Sequence, residues 1–189
     1  MTATVTDVAP DPHEIPARLR LRRFLKQHRV LAIGITTLCG VALLQTQFGL
    51  NLVVGESMWP TFETGDLLLI RKRAFPGGDP QRGDIVVARY RGELIVKRVV
   101  GLPGEEVHVK NGDLFVDDAL LVENHFIKRG GLEVGKGKLV EGKFAILGDN
   151  RDLPSSQTVH AVVSKDQIVG KVIFAIRLWR QKSSSKGET

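Results

Sequence analysis

The chain has one cysteine, Cys39, among 189 residues, so no intramolecular disulfide can form and the fold must rest on its core. A lone cysteine, here inside an apolar run, therefore says nothing about redox compartment. No internal repeat is present. No pair of the 5 histidines has zinc-ligand spacing with a further ligand at hand, so no metal site is expected. Outside one apolar run, no window holds helical periodicity for long, which excludes a helical bundle. Gly130 to Lys136 fits the first part of a phosphate-binding loop, but Gly137 stands where Ser or Thr is required and no amphipathic helix follows. A solvated loop is expected there instead of a nucleotide site.

What is present is ordinary for a globular chain, with 25% charged residues and 42% hydrophobic ones, which argues against disorder. The net charge of +6 would suit nucleic acid if it were spread over a face. Instead Arg18, Arg20, Arg22, Arg23, Lys26 and Arg29 crowd just before the apolar run Val30–Phe48, and the next basic residue is Arg71. That asymmetry is a topology signal, and no nucleic-acid partner is expected. The run holds about 19 residues, or roughly 28 Å of helix, close to the thickness of a bilayer's hydrocarbon. Thr36 and Thr37 can return their hydroxyls to the helix, whereas Gln45 and Gln47 suit the interface. A buried core helix and a cleaved signal peptide (Gly40-Val41-Ala42 is small-x-small) compete with this reading. The basic flank opposes the first, and Leu43 and Leu44 continue past the second. The expectation is therefore a basic cytoplasmic tail at residues 1–29, an uncleaved transmembrane anchor at 30–48 in the cell membrane, and an extracytoplasmic domain at 49–189. Residues 1–16, with three prolines and three acids, read as a disordered tail.

Past the anchor the apolar runs are short and bounded by turn residues. Asp66–Arg71, Asp84–Tyr90, Leu94–Val100, Glu106–Lys110, Leu114–Val116, Lys143–Leu147 and Ile168–Leu178 read as strands. Arg91-Gly92-Glu93 is a tight connection, and Asn111-Gly112 signals a type I′ turn, so two hairpins are expected. The fold class is all-β, a barrel-like antiparallel domain behind one helix. Residues 123–142 are glycine-rich and weakly patterned, an excursion from the main sheet.

Three polar features stand out against this frame. Ser57 lies in a turn just past the anchor, in Gly55-Glu56-Ser57-Met58-Trp59-Pro60-Thr61. Lys97 sits within a strand, and strand alternation puts it on the face of Ile95 and Val99. Desolvation there would disfavour its ammonium, and a neutral amine can take a serine's proton. A lysine snorkelling to the sheet's edge is the plainer alternative. The third feature is the polar turn Gly148-Asp149-Asn150-Arg151-Asp152. His108, His125 and His160 leave a serine–histidine arrangement open, since such triads recur in many chain orders.

Taken together, from Gly55 to about Leu178, the residues resemble type I signal peptidases. Ser57-Met58-Trp59-Pro60-Thr61 matches the nucleophile segment, followed by Gly65-Asp66-Leu67-Leu68, and Arg82-Gly83-Asp84-Ile85-Val86-Val87 matches the next box. Val96-Lys97-Arg98-Val99-Val100-Gly101-Leu102-Pro103-Gly104 carries the base-bearing stretch, and Gly148 to Asp152 opens the last box. The resemblance implies a serine endopeptidase in which Ser57 is the nucleophile, Lys97 the general base and the Ser57 N–H an oxyanion donor. Many relatives have a serine where Gly55 stands, which leaves the second donor open. The last box departs from the usual pattern. The serine expected there falls on Pro154, or on Ser155 after a one-residue shift, and the Asp and Arg that usually brace the site are missing, with Gln157 and Thr158 nearby. Gly55, Ser155, Asp149, Asn150 and Arg151 are accordingly the candidate supporting residues.

The activity so implied is removal of signal peptides from exported precursors after small residues, without a cofactor. The implied partners are those precursors and the lipid bilayer, with Trp59 and Phe62 as candidates to enter the interface. The oligomeric state stays open. A specialised peptidase for conjugation or pilin precursors would share the dyad, and an impaired anchored homologue would keep only the fold. A self-cleaving repressor of the SOS type would need a DNA-binding domain where the apolar run stands.

Overall fold

The computed structural model describes residues 17–154 and 160–177, the helical residues 17–25 and 27 by their backbone only. Two compact units emerge, divided after Gln45. The first holds nearly all of helix α1, Ala17–Gln47, whose 31 residues extend about 46 Å. No proline interrupts the chain between Pro16 and Pro60, so the helix's backbone bonding is never broken by a missing N–H. His28–Gln47, 20 residues with a mean hydropathy of 1.6, is long and apolar enough to cross a membrane. Its large apolar side chains are exposed, including Val30, Leu38 and Leu44. Thr37 Oγ1 donates to the Ile33 carbonyl at 2.8 Å, which satisfies a hydroxyl that would otherwise be costly in an apolar medium. The helix ends one residue before the expected limit of the apolar run. Phe48 opens strand β1, Phe48–Leu52, because from there apolar residues recur every second position and pair with the next strand.

The second unit is all-β and antiparallel. Strands β2 (Leu67–Lys72), β3 (Ile85–Tyr90), β4 (Glu93–Gly101), β5 (Glu106–Lys110), β6 (Asp113–Val116) and β9 (Lys143–Leu147) lie where the apolar runs predict them, within a residue or two. Strand β11, Ile168–Ile176, does too. The additional strands β7 (Ala119–Leu120), β8 (Val134–Lys138) and β10 (Ala161–Ser164) carry weaker signals. One sheet has the order β1-β2-β11-β3-β4-β9-β10, the other β7-β6-β5-β8. Both expected hairpins form, and each turns on two residues in the left-handed region: Arg91 (φ 51°) with Gly92 (φ 87°), and Asn111 (φ 50°) with Gly112 (φ 76°). That is the type I′ geometry whose twist matches the flanking strands.

Residues 123–142 contain β8, which is the edge of the four-stranded sheet through its pairing with β5. Two glycines and two lysines in Val134–Lys138 give no strand signal, and the pairing partner alone imposes the extended form. The solvated loop expected at Gly130–Lys136 therefore ends in a strand. Three clusters make the core: Val86, Ala88, Val99, Phe144 and Val163; then Val107, Val109, Leu114 and Leu139; then Val53, Met58, Phe62, Leu68, Ile70 and Val87.

Candidate active site

Ser57 stands in the turn that follows β1. Its neighbour Met58 and the nearby Phe62 insert into the third core cluster, which anchors the turn from beneath. Trp59 N–H donates to the Glu56 carbonyl at 3.0 Å and Phe62 N–H to the Met58 carbonyl at 2.9 Å. Gly55 has φ of 93°, a conformation side chains resist, and its N–H and carbonyl both bond the Thr64 hydroxyl, at 3.1 and 3.0 Å. The glycine thus shapes the turn, and its N–H is already used. Among the described residues no acceptor is hydrogen-bonded to the N–H of Ser57.

Lys97 approaches from β4. Its Nζ lies 2.6 Å from Ser57 Oγ and 3.0 Å from the Val96 carbonyl, and the residue is only 3% exposed. Burial pushes the amine down to about 8, while the negative charge of Asp149 opposes the shift. At pH 7 an amine of that pKa is neutral in roughly one molecule in ten, against about one in three thousand for an ordinary lysine. A neutral amine at hydrogen-bond distance from a hydroxyl can accept its proton. The plainer expectation, a lysine snorkelling to the sheet's edge, does not describe this buried side chain.

The segment Gly148–Arg151, after β9, closes the site from the other side. Asn150 N–H donates to the Ser57 carbonyl at 3.0 Å and its Nδ2 to the Glu56 carbonyl at 3.1 Å, so one residue holds two successive peptide groups of the turn. Asp149, 1% exposed, accepts from Arg98 Nε at 2.9 Å and Nη2 at 2.6 Å, and from the Thr61 hydroxyl. Arg98 also reaches the Gly83 carbonyl at 3.0 Å. This bidentate pair ties β4 beside Lys97 to the last segment, and removing either partner would leave a buried charge uncompensated. Arg151 points away from Ser57, to the Gly112 carbonyl at 2.8 Å and, through both Nη atoms, to Glu123 at 2.7 and 2.6 Å. Ser155 lies outside the described residues, as do Gln157 and Thr158.

Sequence reading missed Arg98, Thr61, Thr64 and Glu123 as supports. Arg98 could have been suspected as a charge in an apolar strand, whereas Glu123 carries no local signal. The histidines are placed elsewhere. His108 stacks on Phe115 at 4.8 Å, His125 faces Glu123 and Asp149, and His160 borders a separate apolar cavity. Among the described residues, Ser57 Oγ is hydrogen-bonded to Lys97 and to no histidine. Phe62, expected at a lipid interface, is buried in the core, while Trp59 is exposed with Lys128 Nζ 5.4 Å above its ring.

A cleft of about 600 Å³ runs up to the Ser57–Lys97 pair, lined by Asn51 to Met58 on one side, Glu93 to Lys97 on the other, and Leu153. Strand β4 pairs with β3 along Glu93–Arg98, but β9 meets it only from Arg98 onward. The edge of Glu93–Lys97 that β9 does not reach has no strand against it among the described residues.

Residues 26–179 match the family described as signal peptidase, peptidase S26. A probable signal peptidase I-2 of Synechocystis is 31% identical over 158 residues, covering 79% of this chain and 68% of the relative. Signal peptidase IB of Staphylococcus aureus is 32% identical over 146 residues, covering 67% and 75%. A solved signal peptidase I from Enterococcus faecalis V583 aligns with a TM-score of 0.40 at 24% identity, covering 50% of this chain and 97% of that one. The chain belongs to the signal peptidase family, peptidase S26. It is accordingly a peptidase, and an all-β catalytic unit behind one apolar helix is its architecture.

Proposed function

We propose that this chain is a membrane-anchored endopeptidase that removes signal peptides from exported precursors, with Ser57 as nucleophile and Lys97 as general base. The observation that carries the reading is the 2.6 Å contact between Lys97 Nζ and Ser57 Oγ at a buried amine whose pKa is brought down to about 8. Neutral Lys97 takes the hydroxyl proton as Ser57 Oγ attacks the scissile carbonyl. The N–H of Ser57 stabilises the oxyanion, and the lysine ammonium then protonates the leaving amine. Water, deprotonated by the same amine, releases the acyl group. No step needs a cofactor.

The unpaired edge of Glu93–Lys97 supports an extended substrate. A precursor segment laid along it as an added strand would bring successive peptide bonds toward the dyad. The resemblance of the boxes to type I signal peptidases supports small residues before the cut.

His28–Gln47 serves as the anchor, with the basic segment before it in the cytoplasm and the β unit outside. A lipid contact for the β unit is supported by its outer face. Leu50, Leu69 and Phe174 stand opposite one another across β1, β2 and β11, as do Leu52, Leu67 and Ile176, and the four outer members of these rows are exposed.

The test is cleavage of a model preprotein by the full chain in lipid vesicles. The native enzyme is expected to release the signal peptide and Ser57→Ala to lose that activity with its thermal melting unchanged. Comparable cleavage by the alanine variant would overturn the assignment.

A further inference from the structure

Behind the dyad lie two buried carboxylates, each with its own arginine: Asp149 with Arg98, and Glu123 with Arg151. Between them stands His125, from the segment that follows Glu123. Its Nε2 is 3.5 Å from Glu123 Oε1 and 3.6 Å from Asp149 Oδ1, and this buried nitrogen has no hydrogen-bond partner among the described residues. An ionised carboxylate only accepts, so a bare ring nitrogen here would set its lone pair against two others. The proton therefore belongs on Nε2. Resting on the dyad reading of Ser57 and Lys97, we propose that His125 is a positioning residue, a neutral imidazole whose Nε2–H edge faces both Asp149 and Glu123 and so steadies the carboxylate that acts on Lys97.

The charges around it favour the neutral ring. Two carboxylates and two guanidiniums already balance, and Arg82 borders the same cavity of about 320 Å³. Burial lowers the histidine's pKa, Arg98 adds to this, Asp149 and Glu123 oppose it, and Arg151 lowers it again. Lys97 in turn faces Asp149 and Ser57, with Glu56 and Glu93 lining its cleft. The segment bearing His125 is fastened independently of the ring, since Lys128 N–H donates to the Asp149 carbonyl at 3.0 Å and Arg151 N–H to the Lys128 carbonyl at 2.8 Å. Losing the imidazole thus removes the N–H edge that faces Asp149 while the backbone around it stays bonded. The carboxylate's charge is then less satisfied and water can enter, and both effects favour the ammonium form of Lys97.

The experiment follows kcat/KM against pH for the full chain in zwitterionic lipid nanodiscs, comparing native enzyme, His125→Ala and His125→Gln. The alanine variant is expected to move the alkaline midpoint up by roughly half a unit or more, so cleavage at pH 7 falls about threefold or more while the plateau above the midpoint stays near native. Glutamine, which keeps a neutral N–H, is expected to restore the midpoint. If the alanine variant does not accumulate folded, His125→Leu fills the space without a donor and takes its place. In parallel, acylation of Lys97 by an amine-reactive reagent, read by mass spectrometry across pH, reports the same midpoint without substrate. An unmoved midpoint, or an equal loss at every pH with glutamine no better than alanine, would overturn the role of His125. Absence of preprotein cleavage by the native enzyme would instead overturn the peptidase reading of the dyad, and the labelling would still decide for or against His125.

Discussion

Gly148 faces the Ser57 carbonyl so closely that a Cβ on the glycine would fall onto that oxygen, with the Ser57 carbonyl carbon and Cβ next in line. Two residues on, Asn150 N–H donates to the same oxygen. The last segment and the serine turn therefore meet backbone to backbone, and the glycine is what permits the approach.

Gly148→Ala should accordingly push the serine turn away from Lys97. A displacement near 1 Å at a reacting group costs on the order of 100-fold in rate. The expected outcome is a loss of that size in kcat/KM on a preprotein, with little change in the amounts of folded protein. A variant within about threefold of native would show that the turn absorbs the methyl without moving Ser57.

Lys97 should set the pH profile. Its folded pKa is about 8, so cleavage should rise as pH passes upward through that value and level off above it. Below the midpoint it should fall about tenfold per unit as the amine is protonated. Arginine keeps its proton at any accessible pH, so Lys97→Arg should be as inactive as Lys97→Ala although it conserves the charge. Steady-state cleavage between neutral and alkaline pH measures this. Activity in Lys97→Arg together with its loss in a variant of His108, His125 or His160 would point to a histidine base.

Orientation can be tested without substrate. Protease added to cells stripped of their outer barriers should digest the β unit and spare the segment before His28, because positive charge is retained on the cytoplasmic side. Protection of the β unit would reverse the topology.

Much of the fold was legible because its signals are local. The Arg91-Gly92 and Asn111-Gly112 turns are fixed by which residues tolerate the left-handed region, and β2 to β6 follow from short apolar runs between such turns. Strands β1 and β8 were not legible. The first follows the helix directly, with no turn between them to mark the boundary, and the second is extended only because β5 pairs with it.

The sequence by itself singled out Ser57 and Lys97 as the proposed pair, since each stands within an unbroken family box and their residue types limit the reactions available. Only the tertiary structure decided what supports that pair. Arg98 meets Asp149 across 51 positions of chain, and Asn150 meets Glu56 across 94. Such contacts leave no trace in spacing, because they depend on which strands pair and on how closely two backbones approach. The lowered pKa of Lys97 belongs to the same class. It comes from burial that outweighs the opposing charge of Asp149, and folding alone brings both to the amine.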